Sequence, residues 1–323
     1  MPSHILQSGD LPAGFENWLA AIPTDRDSIG WQASAACLLE SAVFKPGNVH
    51  PGADFLDLAH EDFVNAALAI ALPFNMWLAP ASQGDPARRF QLGQGILAAV
   101  EASIEVTQTN ANLGMVLAIA PLAASSLPVE REVGAVLTSL KPADAAAIWQ
   151  AIRTAQPGGL GRVDEHDLAG PPPENILDAM RLAADRDAIA RLWAEDYAPL
   201  FASASSPHSL GMVPLLEQAL TQGMGIAAAI QLAFLQHLAH HLDSLIVRRH
   251  GHTIAEQVSK LAAEIVAQPL AEQAPLVKNL DEVLRAGRWS NGCWRPINPG
   301  TTADLVAAAL FVLLRRGWTL PTT

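Results

Sequence analysis

Helical periodicity runs through almost the whole chain. Apolar residues recur three or four positions apart, Ala and Leu predominate, and no convincing run of alternating β-branched residues with hairpin turns is present. Both Ala and Leu favour helix. Because 50% of the residues are apolar and only 16% are charged, the chain can bury a sizeable core. We therefore predict an all-α protein, a single large multi-helix bundle that comprises residues 1–323.

Clusters of proline and glycine separate the predicted helices. Residues 45–47 and 298–300 form two such clusters, and residues 156–173 contain two more. That last segment is the one candidate boundary within the domain, although it also reads as an ordinary long loop. Its glycines at 158–161 are a weak nucleotide-binding signal, because no predicted strand precedes them. Helices are predicted at about residues 29–43, 61–79, 87–107, 112–126, 142–155, 173–202, 209–222, 225–249, 252–267, 272–286 and 301–317.

The charge balance limits the classes of partner. The formal net charge is -12, and an acidic surface repels polyphosphate backbones, so we expect no nucleic-acid binding. The chain can still bind small phosphorylated ligands if basic residues converge locally. The two cysteines, Cys37 and Cys293, lack CxxC spacing, which indicates a reducing compartment. Without a signal-peptide pattern, and with the apolar run 113–124 too short for a membrane span, we expect a cytoplasmic protein that binds no membrane.

The segment 44–62, FKPGNVHPGADFLDLAHED, is the richest in chemistry. Lys45 follows a predicted helix, where it can bind a phosphate as a point charge or complement the helix dipole; the two roles are compatible. Asp54 and Asp57 are three residues apart, so a helical turn would place both carboxylates, continued by His60, on one side. Oxygen-rich clusters of this kind suit Mg²⁺. The alternative is a connector whose charges face water, with Asp62 as the N-cap of the next helix.

Glu40 is a lone carboxylate in an apolar helical run. Such a group needs a partner, and burial raises its pKa. It can pair with Lys45 as part of the structure, or it can join a metal or acid–base site. The sequence leaves these readings open. Cys37, in the same helix, is interpreted as a packing residue.

Two predicted helix starts carry polar residues that suit an anion. Asn110 or Asn112 can cap the helix that follows residue 112, and Thr301 and Asp304 have the spacing of a capping box. A helix N-terminus also presents free N–H groups to phosphate. The predicted helix 225–249 has an apolar face opposite a polar one, which either lines a site or faces solvent. The polar face includes His237, His240, His241, Asp243 and Arg248.

These motifs, taken in order, resemble one family. The chain is similar to the triphosphoribosyl-dephospho-CoA synthases, and the resemblance covers roughly residues 30–315. It departs from the family pattern at Ala53, where a histidine is expected, and at Asn112 and Leu113, where the family has His-Lys. The motifs that match are Glu40, the Lys-Pro-Gly of residues 45–47, Ala53 to Phe55 with Asp57, Asn110 to Gly114, Asp243 with Arg248 to Gly251, and Pro299 to Leu305.

The resemblance implies an all-helical enzyme that uses ATP, and the oxygen-rich segment adds Mg²⁺ as the expected metal. Its reaction would move a (tri)phosphoribosyl group from ATP to a hydroxyl of a small phosphorylated acceptor such as 3′-dephospho-CoA, with release of adenine. The alternatives are a phosphoribosyl or ADP-ribosyl hydrolase and a catalytically inert ligand-binding relative. The oligomeric state is open, and a homodimer is one option. The expected roles are Asp54 and Asp57 for the metal, Glu40 or Asp243 for the base, and Lys45, Asn110, Asn112, Arg248, Thr301 and Asp304 for nucleotide binding.

Overall fold

The computed structural model describes residues 11–79, 91–156, 170–203, 210–290 and 293–320, without the side chains of residues 289, 290 and 293. These parts are predominantly helical, which confirms the all-α prediction. One short antiparallel hairpin, β1 (Arg288–Ser290) and β2 (Cys293–Arg295), places Arg288 opposite Arg295. The helices are α1 (Phe15–Ala20), α2 (Ile29–Ala42), α3 (His60–Ala69), α4 (Ala71–Trp77), α5 (Leu92–Thr107), α6 (Leu113–Ala124), α7 (Val129–Thr138), α8 (Pro142–Ala155), α9 (Ile176–Ala183), α10 (Ala188–Ala194), α11 (Ala198–Phe201), α12 (Met212–Thr221), α13 (Ile226–His240), α14 (Ser244–His250), α15 (His252–Val266), α16 (Leu270–Ala286) and α17 (Gly300–Arg315).

Helices α2, α6 and α17 form the centre of the fold. Almost every residue in each of them is buried, because they are apolar on nearly all sides. They pack on one another, and α17 also contacts α12 and α13. Small residues let the helices approach closely: a Cβ on Gly30 would lie 2.0 Å from the carbonyl oxygen of Ala71, at the crossing of α2 and α4.

The C-terminal end of α2 meets the N-terminal ends of α6 and α17. Glu40, Gly114 and Asp304, one from each helix, all line the same cavity. The fold therefore brings two carboxylates and two helix N-termini to one place. That meeting point determines where polar chemistry can occur in an otherwise apolar core.

Several predicted helices are interrupted. The predicted helix 61–79 divides into α3 and α4 at Ile70, and the predicted helix 173–202 divides into α9, α10 and α11. The prediction of one helix over 225–249 was wrong: α13 ends at His240, and Asp243 begins α14 by accepting hydrogen bonds from its first amides. Residues 50–59 form turns, so no helix places Asp54 and Asp57 on a common face, and that prediction was also wrong. The glycines at 158–161 lie outside the described residues.

The described residues were also compared with the requirements for crossing a membrane. No single helix among them is both long and apolar enough. Helices α6 and α7 together have sufficient length and apolar composition, but their axes meet at 101°.

Candidate functional site

A cavity of about 1000 Å³ lies where α2, α6 and α17 meet. This volume is at the upper end of the range for ligand sites, about 300–1,000 Å³. One part of its wall is apolar and comes from α8, α9 and α10, with Trp149, Ile152 and Met180 among its residues. The remaining wall is polar. Its charged and amide residues are Glu40, Asn48, Asp57, Gln108, Asn110, Gln156, Arg186, Asp187, Arg248, Arg249, Arg295, Asn298 and Asp304.

Asp304 is a cavity carboxylate whose surroundings disfavour its charged form. Burial raises its pKa well above the ordinary value, and the negative charges of Glu40, Asp243 and Asp187 raise it further. A Cβ on Gly114 would lie 2.0 Å from Asp304 Oδ2, so only glycine at this position leaves room for the carboxylate beside the start of α6. Titratable groups with such shifts mark candidate functional sites.

Glu40 forms a buried ion pair with Lys45. The Lys45 ammonium lies 2.9 Å from Glu40 Oε1, and the side chains of Lys45 and Glu40 are 0% and 4% exposed. Burial raises the pKa of Glu40, although Lys45 opposes that rise. Lys45 also donates to the carbonyls of Val43 (2.9 Å) and Glu40 at the end of α2, which confirms its predicted role at the helix C-terminus. All three ammonium hydrogens are thereby used, so its binding of a phosphate stays a prediction.

Asp243 caps two helices at once. Its Oδ1 accepts from the amides of Leu245 (2.9 Å) and Ile246 (3.0 Å) at the start of α14. Its Oδ2 accepts from the Thr302 amide (2.7 Å) and hydroxyl (2.8 Å) at the start of α17. Burial raises the pKa of Asp243, and the hydrogen bonds from Thr302 and Ile246 oppose this rise. These four contacts assign Asp243 first to positioning, and its predicted role as a base stays untested.

The predicted capping box at the start of α17 was wrong. Neither Thr301 nor Asp304 makes a side-chain cap there; the cap comes from Asp243 in another helix. Thr301 instead accepts a hydrogen bond from the Ser244 hydroxyl at 3.1 Å. The side chain of Asp304 therefore takes no part in the cap and lines the cavity. No described residue makes a hydrogen bond to it there.

At the start of α6 the two asparagines have different roles. Asn112 occupies the N-cap position without a side-chain cap, and Asn110, which lines the cavity, instead accepts from the first helical amide, that of Leu113, at 3.2 Å. Asn112 is buried and donates to the Ala66 carbonyl of α3 at 3.3 Å. It is outside the cavity wall, so its predicted contact with nucleotide stays untested.

Three arginines, Arg248, Arg249 and Arg295, form what we call the arginine group. All three line the cavity. Arg248 is ion-paired with Asp187, whose other oxygen caps α10 by accepting from Ile189 and Ala190 at 2.9 Å. Burial lowers the pKa of Arg249, and the nearby charge of Arg295 lowers it further. Only Arg248 was predicted as a nucleotide-binding residue. Arg249 lies within the Arg248–Gly251 motif without an assigned role, and Arg295 belongs to no recognisable motif.

The predicted metal ligands are separated. Asp54 Oδ1 accepts from the His60 amide at 2.8 Å and is outside the cavity wall, whereas Asp57 lines the cavity near Arg249. Asp62 is not the N-cap of α3, since it follows Ala59 by three residues and accepts from that residue's amide at 2.8 Å. In the part of the chain that the structure describes, no three His, Cys, Asp or Glu side chains are arranged to hold a metal ion.

The histidines of α13 are also outside the cavity wall. His237 and His241 stack with ring centroids 4.3 Å apart, and His240 is exposed. Burial lowers the pKa of His237 and His241, and the neighbouring histidines lower both further. The sequence left a site lining and a solvated face open for this polar face, and its histidines do not line this cavity.

One comparison with known proteins identifies a family, and a second supports the fold. The family model described as "CitG: ATP:dephospho-CoA triphosphoribosyl transferase" matches residues 26–322. A solved structure from Archaeoglobus fulgidus, described as a candidate triphosphoribosyl-dephospho-CoA synthase, aligns with a TM-score of 0.55 and 21% identity over 80% of this chain and 99% of that one. At this identity it supports the fold alone. No protein of curated function matches the chain.

Proposed function

We propose a reaction from one premise: the chain belongs to the family of ATP:dephospho-CoA triphosphoribosyl transferases. Membership makes it a transferase for a triphosphoribosyl group, with ATP as the donor and dephospho-CoA as the acceptor of the family. We propose that this chain performs that transfer with Mg²⁺ and releases adenine. The observation that carries the proposal is a single cavity with Glu40 and Asp304 at its inner end and the arginine group in its wall.

The bond changes define what the cavity must supply. The bond between ribose C1′ and adenine N9 of ATP breaks, and a bond forms between C1′ and the acceptor hydroxyl oxygen. Adenine leaves with the electron pair of the broken bond and takes up a proton, while the acceptor hydroxyl gives up a proton. Positive charge develops on the ribose between these events, as in glycoside chemistry.

Asp304 is proposed as the group that takes the acceptor's proton. Its pKa is raised by burial and by Glu40, toward the range that makes a carboxyl group effective in proton transfer near neutral pH. Glu40, fixed by Lys45, contributes negative charge beside the same point and stabilises the developing ribose cation. Asp243 positions Asp304 indirectly, because it holds the first turn of α17.

The arginine group and two helix starts are proposed to bind the triphosphate. Arg248, Arg249 and Arg295 supply positive charge, and the first turns of α6 and α17 supply amides. Oxygen ligands suit Mg²⁺, which needs only one or two carboxylates when phosphates complete its shell, and Asp57 in the cavity wall fits that requirement. When bound, Mg²⁺ would neutralise phosphate charge.

Adenine release tests the reaction directly. Purified protein is incubated with ATP, 3′-dephospho-CoA and MgCl2, and adenine is quantified by chromatography. We expect adenine in a one-to-one ratio with acceptor consumed, loss of the reaction with EDTA, and a large loss in Asp304→Asn. Adenine or ribose phosphates formed equally without acceptor would instead indicate a hydrolase. If no adenine forms with any acceptor, the proposed reaction is wrong.

A further inference from the structure

We propose that the hairpin β1–β2 forms a purine-nucleotide subsite, in which the face of Trp294 stacks on the base and the arginine group binds the adjoining phosphates. This inference rests on the proposed nucleotide reaction and adds to it the residue that stacks on the base. The hairpin was not predicted from the sequence. Its two strands are the strands that the described residues form in this helical protein. Its residues Trp294 and Arg295 line the cavity.

The Trp294 indole is held in place before any ligand binds. Its Nε1 donates to the Ala286 carbonyl at 2.9 Å, which ties the ring to the end of α16. The ring packs against the bare Cα of Gly287: a Cβ there would lie 2.8 Å from Trp294 Cζ2, and Gly287 has a φ of +62°. A side chain fixed in this way loses little freedom on binding, so stacking on it costs little conformational entropy.

Trp294 nevertheless stays 43% exposed and lines the cavity. An exposed aromatic ring that is fixed rather than mobile is typical of a stacking surface for a base. Leu56, also in the cavity wall, is 96% exposed. The cavity thus presents two apolar side chains to solvent close to its charged residues.

Arg285 links the hairpin region to the segment that carries Leu56. It lies in α16 just before the hairpin, donates to the carbonyls of Asn48 and Asp54, and places its guanidinium 5.2 Å from the Phe55 ring centroid. Its ion pair with Asp281, at 2.9 Å, fixes it from the other side. Helix α16 is therefore bonded both to Trp294, through the Ala286 carbonyl, and to the segment that carries Leu56, through Arg285, which favours a preformed subsite.

The phosphate half of the subsite follows from the charges beside Trp294. Arg295 is the next residue, and its charge lowers the pKa of Arg249. Cations that repel one another in a chain of net charge -12 are stabilised by an anion bound between them. A base on Trp294 with phosphates on Arg249 and Arg295 matches the layout of a nucleotide. Both ATP and 3′-dephospho-CoA carry this chemistry, so the experiment must separate them.

Equilibrium binding measured by calorimetry tests the subsite without requiring turnover. The ligands are ATP, 3′-dephospho-CoA and tripolyphosphate, which has no base. In Trp294→Ala we expect about 5- to 100-fold weaker binding of whichever purine ligand uses the subsite, with tripolyphosphate changed less than about twofold. Trp294→Phe, which keeps a stacking face, should lose only a few-fold. Arg295→Gln should weaken tripolyphosphate and the purine ligand alike.

Trp18→Ala serves as the matched control, because Trp18 is a partly exposed tryptophan outside the cavity wall. It should leave all three affinities unchanged. Purine affinities in Trp294→Ala equal to those of the wild type would overturn the subsite, even if adenine release continues. Wild-type protein that binds purine ligands through Trp294 yet releases no adenine would refute the reaction and keep the subsite. Failure of the wild type to bind any purine ligand would overturn both.

Discussion

Replacing Asp243 tests how the inner end of the cavity is built. The carboxylate is 3% exposed and accepts four hydrogen bonds, two from α14 and two from α17. In Asp243→Ala both helices lose their cap. A lost cap typically costs about 1 kcal/mol, and a buried donor left without an acceptor costs about 1–3 kcal/mol. Because the Ile246 and Thr302 amides are buried, we expect a total loss of about 3–5 kcal/mol.

Asp243→Asn separates the contribution of the α14 cap from that of the α17 cap. The remaining side-chain oxygen can still accept from the amides of α14, but the new amide group faces the Thr302 amide, and two donors cannot bond to each other. We expect a loss of about 1–3 kcal/mol, from α17 alone. Urea denaturation followed by far-ultraviolet circular dichroism at pH 7 measures both variants.

Ser28→Ala is the matched control for a single cap. Ser28 accepts one hydrogen bond, from the Trp31 amide at 3.1 Å at the start of α2, so its loss should cost about 1 kcal/mol. If Asp243→Ala costs no more than Ser28→Ala, the double-cap reasoning is refuted. Adenine release by folded Asp243→Asn separates positioning from proton transfer: positioning predicts a fall of less than about tenfold, and a base predicts about 10²–10⁴-fold.

Three further predictions concern the buried charges. Lys45→Met should lower the free energy of unfolding by about 3–5 kcal/mol, because it leaves the Glu40 carboxylate unpaired in the core. Adding Glu40→Gln should recover most of that loss in the same urea assay, and no recovery would contradict the ion-pair argument. Asp304→Asn should raise the free energy of unfolding at pH 7 by about 1 kcal/mol and flatten the decline of that free energy with rising pH. The reason is that a carboxyl group with a raised folded pKa stabilises the fold at low pH and loses this effect as pH rises from the unfolded pKa through the folded one. An unchanged pH dependence would contradict this. His237→Phe should reduce the loss of thermal stability below about pH 6.5, since the pKa of His237 is lower in the folded than in the unfolded state and this difference costs stability as pH falls. Identical slopes of thermal stability against pH for the variant and the wild type between pH 7.5 and 5 would contradict it.

The sequence was sufficient for the fold class and for contacts between near neighbours. Helical period and Ala/Leu content predicted the helices, and Lys45 lies only five residues from Glu40, so their pairing could be foreseen. The bond from the Leu113 amide to Asn110 is equally local. Each of these features depends on residues within about one or two helical turns, which is the range over which sequence patterns report geometry.

The incorrect predictions share a different cause. The predicted helix 225–249 ends at His240, and Asp243 starts α14 by accepting from the Leu245 and Ile246 amides. The other carboxylate oxygen of Asp243 bonds to Thr302, 59 residues away, and no local pattern encodes that contact. The apparent capping box of Thr301 and Asp304 failed for the same reason, since a residue from another helix already occupied the cap. Arg295 joins Arg248 and Arg249 only after the chain reverses at the hairpin. Tertiary contacts override local signals where helix ends meet, and in this protein that place is the cavity.

The charges in the cavity wall distinguish two candidate functions, that of a transferase and that of an inert anion-binding protein. A cavity that only bound phosphates would gain nothing from Glu40 and Asp304, since buried carboxylates repel anions and their raised pKa values report an energetic cost to the fold. A triphosphoribosyl group needs both signs: cations for its phosphates, and anions for the ribose that becomes positive as adenine leaves. The cavity supplies Arg248, Arg249 and Arg295 as well as the two carboxylates. We infer that the carboxylates persist at this cost because the transition state, and not the bound nucleotide, is what they stabilise.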